Sequence, residues 1–193
     1  MGREFELKYA ASAENQRKIR EEYGDFQKIS METEYFDTPS GTLAARKWTL
    51  RCRRENEKRI CTLKTPAADG SRGEWETEAA DIRDALHILC KLGAPEALLS
   101  LAEEGLIRVC GARFTRLAKE ISLPDACCEL ALDAGELLGG DRAIPLCEVE
   151  VELKAGSEAA VLAFAASLSE KYGLKPEKKS KFQRALALAK GEV

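Results

Sequence analysis

Histidine, aromatic residues and long apolar stretches are all scarce in this chain of 193 residues. The one histidine, His87, lies in a helical pattern, so catalytic units that pair histidine with serine or cysteine are not expected. The seven cysteines include no CxxC pair, which argues against a zinc site. No apolar run approaches the roughly 18 residues needed to span a bilayer, and the charged N-terminus lacks the apolar segment of a signal peptide.

A large excess of charge of one sign is also absent. The chain has 30 basic and 33 acidic side chains and a formal net charge of −3, so a broad nucleic-acid-binding surface is not expected. Seven cysteines cannot all pair internally, and most have apolar neighbours, as expected for buried thiols in a reducing compartment. We therefore expect a cytoplasmic protein with neither nucleic acid nor membrane as a partner. The sequence leaves open whether it is a monomer or a homodimer.

Strand and helix patterns alternate along the chain without a linker, a low-complexity tract or a repeat, so residues 1–193 are expected to form one domain. The strand patterns cover about 3–9, 31–37, 49–54, 58–64, 73–79, 107–123, 127–133 and 146–154. The helical patterns cover about 12–23, with Ser12 as the N-cap, and about 81–92, 95–104, 157–172 and 181–190. Short turns join most of the strands, which favours an α+β fold built on a large antiparallel sheet or a closed barrel.

Charged residues occupy every second position of several predicted strands. Because successive side chains of a strand face opposite sides, Glu148, Glu150 and Glu152 share one face. A solvated face would explain any single strand of this kind. A row of three acids is less easily explained, since like charges repel unless a counter-charge lies on them. A bound divalent cation would supply that counter-charge.

Basic residues also lie on strand faces. If the sheet closes, acidic and basic side chains share an interior that small barrels normally fill with apolar groups. Such an interior is unfavourable without a ligand, and the matching ligand is a polyanion with its metal. Arginine and lysine bind phosphate oxygens, whereas carboxylates bind Mg²⁺ or Mn²⁺. The basic residues in question are Lys8, Arg51, Arg53, Lys64 and Arg116.

Nine short motifs occur in order along nearly the whole chain. They are Glu4-Phe5-Glu6-Leu7-Lys8, Tyr35-Phe36-Asp37-Thr38 with Leu43, Leu50-Arg51-Cys52-Arg53, Thr62-Leu63-Lys64, Arg72-Gly73-Glu74-Trp75-Glu76, Phe114-Thr115-Arg116, Leu132-Asp133-Ala134-Gly135, and the segments 148–154 and 180–184. Together these motifs resemble those of the CYTH superfamily, also called triphosphate tunnel metalloenzymes.

The resemblance implies an eight-stranded antiparallel closed β-barrel with helices packed outside, which binds a triphosphate and a divalent metal in its interior. The implied metal ligands are Glu4, Glu6, Glu150 and Glu152, with Glu148 as a weaker candidate. The implied phosphate-binding residues are Lys8, Arg51, Arg53, Lys64, Arg116, Lys181 and Arg184. Lys181 and Arg184 also match positions that orient or activate the attacking water, which makes them the implied catalytic residues. The implied supporting residues of the interior are Arg72, Glu74, Glu76 and Asp133.

Each of these assignments has a plainer structural alternative. The acids could merely pair with the bases, and Lys181 lies in a basic run that could be solvated. Asp133 could serve only to form a turn before Gly135. Arg113 lies close to Arg116, so the sequence leaves open which of the two faces the interior.

The implied activity is metal-dependent hydrolysis of inorganic triphosphate to pyrophosphate and phosphate, with Mg²⁺ or Mn²⁺ as the cofactor. Two related enzymes remain as alternatives, a class IV-type adenylyl cyclase and a thiamine triphosphatase, although no residues signal a pocket for adenine or thiamine. The non-enzymatic alternative is a module that binds polyphosphate or a nucleotide without catalytic activity. A purely structural sheet protein is a weaker one.

Overall fold

The computed structural model describes residues 5–66 and 72–192, and within them nine strands form one antiparallel sheet. The strands are β1 (Glu6–Ala10), β2 (Gln27–Asp37), β3 (Thr49–Glu55), β4 (Lys58–Pro66), β5 (Arg72–Glu78), β6 (Ile107–Leu123), β7 (Ala126–Gly139), β8 (Arg142–Gly156) and β9 (Lys175–Pro176). Their order across the sheet is β5-β4-β3-β2-β6-β7-β8-β1-β9.

Six helices connect these strands in the described ranges: α1 (Ala13–Tyr23), α2 (Thr42–Ala45), α3 (Ile82–Lys91), α4 (Ala97–Ala102), α5 (Glu158–Tyr172) and α6 (Lys181–Lys190). The predicted cap of α1 is confirmed, because the Ser12 hydroxyl accepts a hydrogen bond from the Asn15 amide at 3.1 Å. Helix α2 and strand β9 were not predicted. None of the helices in these ranges is long and apolar enough to cross a membrane.

The expected closed eight-stranded barrel is wrong. The sheet is open, with β5 and β9 at its two edges and no pairing between them in the part of the chain described. Strand β1 pairs with β8 on one side and, at Tyr9 and Ala10, with β9 on the other, and it does not pair with β5 in the described residues. Strand β9 has two residues and ends at Pro176, which lacks an amide donor for a further strand.

The expected position of the helices outside the sheet is also incorrect for α6. Two apolar clusters lie on the face opposite the charges, where α1 and α5 cover the half around Leu130, and α3 and α4 cover the half around Leu63. Helix α6 instead packs on the charged face, where Ala185 joins Met31 and Phe114 in a third apolar cluster. The start of α6 is therefore held next to the charged side chains.

Strand β7 continues through Gly135 and Gly139, past residue 133 where the predicted strand ends. A Cβ atom at Gly135 would lie 2.3 Å from the Arg113 carbonyl oxygen, and one at Gly139 would lie 2.4 Å from the Ala189 nitrogen of α6. The second contact explains how α6 can approach the sheet so closely. Both glycines are therefore required by close backbone packing inside a strand.

Two of the cysteines are bonded to each other, which the sequence analysis did not predict. Cys52 of β3 lies opposite Cys61 of β4, and a disulfide joins them. The other five cysteines are free thiols. Burial raises the pKa of Cys110 to about 12, so this thiol stays protonated at neutral pH.

Asp37, at the end of β2, fixes the following turn. Its carboxylate is buried and accepts hydrogen bonds from the amides of Thr38 at 2.7 Å, Leu43 at 2.8 Å and Ala44 at 3.0 Å. We expect Asp37→Asn to lower the free energy of unfolding by about 2 kcal/mol, because an amide group cannot accept all three bonds. Urea denaturation measures this change, with Asp141→Asn in an exposed turn as the control. An equal effect of both substitutions would contradict this role.

Candidate functional site

One cavity of about 1360 Å³ lies along the charged face of the sheet. Side chains from β5 at one edge of the sheet, from β1 near the other edge and from the first turn of α6 line it. Its basic wall residues include Lys8, Arg51, Arg53, Lys64, Arg116, Lys154 and Lys181. Its acidic wall residues include Glu6, Glu74, Glu76, Glu129, Glu150 and Glu152.

Strand register places the acids of the cavity side by side. Glu152 of β8 lies opposite Glu6 of β1 on one side and opposite Glu129 of β7 on the other. Directly opposed residues in antiparallel strands share a face and lie close together, so these three carboxylates form a row. Two positions earlier on β8, Glu150 lies opposite Lys8. This second row therefore places a base directly beside an acid.

Three carboxylates converge on Lys181 beside this row. One oxygen from each of Asp133, Glu148 and Glu150 lies within 4.8 Å of the others. Asp133 and Glu148 are fully buried, and Glu150 is 6% exposed. The Lys181 Nζ lies 2.8 Å from Asp133 Oδ2, 2.6 Å from Glu148 Oε2 and 2.5 Å from Glu150 Oε1. We call these four residues the buried ion cluster.

Two arginines and a glutamine complete the surroundings of the buried ion cluster. Arg116 Nε and Nη2 donate to the two oxygens of Asp133, each at 2.8 Å, and Nη2 also pairs with Glu150. Arg184, one helical turn after Lys181, pairs with Glu148. From the other face of the sheet, Gln16 Nε2 donates to the backbone carbonyls of Asp133 at 2.9 Å and Glu148 at 2.8 Å. Each carboxylate of the cluster is thus held by more than one partner.

Electrostatics keeps Glu150, Lys181 and Arg116 ionised. Burial alone would raise the pKa of Glu150, but Lys181 and Arg116 lower it well below its usual range. Burial would lower the pKa of Lys181, but Glu150, Asp133 and Glu148 raise it. Burial would likewise lower the pKa of Arg116, but Asp133, Glu150 and Glu129 raise it. Glu150, Lys181 and Arg116 therefore carry full charges at neutral pH.

Strands β3 and β4 supply a region of the cavity with more bases than acids. The Nε atoms of Arg51 and Arg53 are buried, and neither has a hydrogen-bond partner within residues 5–66 and 72–192. Burial and the charge of Arg51 lower the pKa of Arg53. Arg53 pairs with Glu55, and Lys64 Nζ lies 3.2 Å from Glu74 Oε2. Buried guanidinium donors without partners indicate a place for an anion.

The structure brings most of the predicted site residues to one cavity. All of the predicted phosphate-binding residues except Arg184 line it, as do Glu6, Glu150 and Glu152. Arg184 lies behind Glu148, with its Nη1 3.7 Å from Glu177 Oε2. Glu148 and Asp133 lie beneath the cavity wall rather than on it. Glu4 and the side chain of Arg72 lie outside the described residues.

The ambiguity between the two neighbouring arginines of β6 is resolved by register. Arg116 lies opposite Asp133 and lines the cavity. Arg113 is three positions earlier, so it faces the other side, where it is exposed and its Nη2 lies 3.8 Å from Glu136 Oε2.

The cavity wall also includes charged residues that the sequence analysis did not name as site residues, which are Lys47, Glu55, Glu129, Lys154, Glu177 and Lys178. Lys154 Nζ lies 2.9 Å from Glu152 Oε2 and 3.9 Å from Glu129 Oε2. Only the register between β7 and β8 shows that Glu129 adjoins Glu152.

The carboxylates of this site fit a hard divalent cation. Every candidate ligand is a carboxylate oxygen, the donor type that Mg²⁺ and Mn²⁺ prefer. Two sets of carboxylates are available, Asp133 with Glu148 in the buried ion cluster and Glu6 with Glu152 in the row on the wall. Glu150 lies between the two sets on β8 and can belong to either.

We expect Glu148→Gln to lower the free energy of unfolding by about 3 kcal/mol in EDTA, because it leaves Lys181 and Arg184 with fewer negative partners in a buried site. Urea denaturation measures this loss. Glu136→Gln is the matched control, since Glu136 is exposed and its contact with Arg113 is long. A loss no larger than that of the control would show that Glu148 does not stabilise the fold through these pairs.

Comparisons with known proteins agree with this architecture. The family model of the CYTH domain matches residues 2–186. An inorganic triphosphatase from Haemophilus influenzae is 26% identical over 164 residues, which are 81% of this chain and 47% of that protein. This chain therefore spans about half the length of that relative.

Solved structures of low sequence identity share the fold. A putative adenylate cyclase from Bacillus halodurans has a TM-score of 0.62 at 20% identity, covering 95% of this chain and 98% of its own. A putative adenylyl cyclase from Hippeastrum, described as having a dominant triphosphatase activity, has a TM-score of 0.64 at 19% identity. The match covers 98% of this chain and 96% of that protein. Together with the family model, which spans nearly the whole sequence, this shows that the chain belongs to the CYTH domain family.

Proposed function

We propose that this protein hydrolyses inorganic triphosphate to pyrophosphate and phosphate in the charged cavity, with Mg²⁺ or Mn²⁺ as its cofactor. The observation that carries the proposal is one cavity in which buried, partly unpartnered arginines face carboxylates that suit a hard cation. Similarity to the inorganic triphosphatase from Haemophilus influenzae supports the same activity. We further propose that the protein works in the cytoplasm.

The basic residues of β3 and β4 bind the phosphates. The Arg51 and Arg53 guanidinium groups can each form two parallel hydrogen bonds to phosphate oxygens. Lys64 adds a compact charge on the neighbouring strand. An anion between these groups would give the buried Nε atoms their missing partners and offset the repulsion between the two arginines. This is the physical reason for preferring a polyphosphate over a neutral ligand.

Glu150 holds the divalent cation together with the wall carboxylates Glu6 and Glu152 or with the cluster carboxylates Asp133 and Glu148. When bound, the cation neutralises phosphate oxygens and lowers the barrier to attack by water. Glu4 is a further ligand on the family pattern.

Lys181 acts on the phosphoryl group as a fixed positive charge. Its raised pKa keeps the ammonium protonated, so it donates hydrogen bonds and stabilises developing negative charge instead of accepting a proton. Arg184 does not reach the cavity and acts as a positioning residue, because it holds Glu148, which in turn holds Lys181.

Substrate specificity is tested by measuring phosphate release from inorganic triphosphate, ATP and thiamine triphosphate with Mg²⁺, Mn²⁺ or EDTA. We expect metal-dependent turnover mainly of inorganic triphosphate. Formation of cyclic AMP from ATP would instead assign the protein as an adenylyl cyclase. Tight triphosphate binding without turnover of any substrate would indicate a binding module and contradict the proposed hydrolysis.

We expect Glu150→Gln to lower metal-dependent turnover at least about 100-fold, because Glu150 belongs to both possible ligand sets. Circular dichroism and urea denaturation establish that the variant is folded. Glu136→Gln, on the opposite face of the sheet, is the activity control. Undiminished turnover by Glu150→Gln would remove Glu150 from the metal site.

Calorimetric titration with Mn²⁺ distinguishes which of the two ligand sets binds the metal. Glu6→Gln and Glu152→Gln weaken Mn²⁺ binding if the wall carboxylates are ligands. Asp133→Asn and Glu148→Gln weaken it if the buried ion cluster supplies them. Equal Mn²⁺ affinity of all four variants and the wild-type protein would contradict both assignments.

A further inference from the structure

Four helices of this chain end in the same turn. In each, an amide one or two residues after the helix donates to the carbonyl three residues back, and the next amide donates to the carbonyl five residues back, which is the Schellman motif. For α2 these bonds run from Lys47 to Ala44 and from Trp48 to Leu43, both at 2.9 Å. The equivalent pairs are Gly93 to Cys90 and Ala94 to Leu89 after α3, Gly173 to Glu170 and Leu174 to Ser169 after α5, and Gly191 to Leu188 and Glu192 to Ala187 after α6.

The motif requires a residue with a left-handed backbone conformation at its turn. After α2 this residue is a lysine, whereas after the other three helices it is a glycine. Gly93, Gly173 and Gly191 have φ angles of 98°, 63° and 78°, whereas Lys47 has a φ of 58°. Glycine adopts this conformation without a Cβ penalty, and asparagine and aspartate tolerate it better than other residues. A lysine at this position therefore strains the backbone where a glycine would relieve it.

The strained lysine lies at the cavity. Lys47 lines it together with Thr49 and Arg51 of the adjoining strand, and Thr49 lies opposite Lys64. Lys47 is exposed, whereas Arg51 and Lys64 are only partly so, which places Lys47 at the mouth of the basic region. No carboxylate of the described segments lies within 4.0 Å of its ammonium group.

Both features are unfavourable in the free protein. The left-handed backbone is strained, and the ammonium adds positive charge next to a region that is already rich in bases. An anion at the mouth of the cavity would offset the added positive charge, because it would attract Lys47 without burying it. An observed backbone outlier at a cavity is a reason to infer a role in binding.

We propose that Lys47 binds the outermost phosphate of a linear polyphosphate substrate and so determines which chain lengths bind well. The proposal rests on the proposed function, since it takes Arg51, Arg53 and Lys64 as the residues that hold the inner phosphates. A triphosphate held by those deeper groups has its outer end toward the mouth. A pyrophosphate held by the same groups has one phosphate fewer, so we expect it to leave Lys47 without a contact.

The test is calorimetric titration of the full chain with tripolyphosphate and with pyrophosphate, in EDTA so that neither turnover nor metal is required. The variants are Lys47→Gly, Lys47→Arg and, as the control, Asp25→Gly. Asp25 is exposed and has a left-handed φ of 46°, but it does not line the cavity. Asp25→Gly therefore relieves backbone strain without changing the site.

We expect Lys47→Gly to weaken tripolyphosphate binding about five-fold, as for one lost ion pair at a surface. Pyrophosphate binding should change less than about two-fold, and Lys47→Arg should keep most of the tripolyphosphate affinity. Lys47→Gly and Asp25→Gly should both raise the melting temperature, because glycine fits a left-handed backbone. Under turnover conditions, Lys47→Gly should raise the KM for triphosphate by a larger factor than it lowers kcat.

Unchanged tripolyphosphate affinity of Lys47→Gly would overturn the inference, as would an equal loss for both anions, which would show a general charge effect. If the wild-type protein binds tripolyphosphate but does not hydrolyse it with metal, the proposed hydrolysis fails while the binding comparison still decides the role of Lys47. If it hydrolyses triphosphate and Lys47→Gly binds normally, only the inference fails.

Discussion

The site depends on one buried lysine surrounded by three carboxylates. Lys181 lies within 2.8 Å of oxygens from Asp133, Glu148 and Glu150, on a helix that packs against the charged face of the sheet. Without this positive charge, three carboxylates within 4.8 Å of one another would repel in a place that is almost fully buried. Apolar contacts of α6 and its ion pairs therefore stabilise the same position, and that position forms one wall of the cavity.

The cavity has acids and bases in different proportions along its length. Near β1, β7 and β8, the carboxylates form ion pairs with Lys181, Arg116 and Lys154, so negative and positive charges nearly compensate there. Near β3 and β4, the guanidinium groups of Arg51 and Arg53 keep donors without partners. This unequal distribution suits a ligand that carries several negative charges at one end of the cavity and approaches a metal at the other.

The sequence was sufficient to predict which side chains share a face, because alternation in a strand depends only on local geometry. It placed Glu148 on one face with Glu150 and Glu152, and the alternating positions of these residues on β8 agree with that. Alternation says nothing about whether the two edges of a sheet meet, which is why the closed barrel was wrong. Nor could it place α6, since an apolar side that includes Ala185 and Leu188 would suit either face of the sheet.

Register is the other property that the sequence did not reveal. The hairpin between β3 and β4 turns at Asn56 and Glu57, and this two-residue turn sets Cys52 opposite Cys61. The sequence analysis assigned three residues to the turn, from which that pairing does not follow. Likewise, the row of Glu6, Glu152 and Glu129 joins three strands whose relative positions depend on the whole sheet.

The position of Lys181 along the chain has a consequence for synthesis on the ribosome. Asp133, Glu148 and Glu150 all leave the ribosome before Lys181, so the nascent sheet carries its carboxylates while their main counter-charge is still being made. Arg116 precedes them and can pair with Asp133 and Glu150 in the meantime, whereas Glu148 must wait for α6. The last step of folding is therefore expected to be the docking of α6, which completes the cavity and supplies the counter-charge of the fully buried Glu148 at the same time.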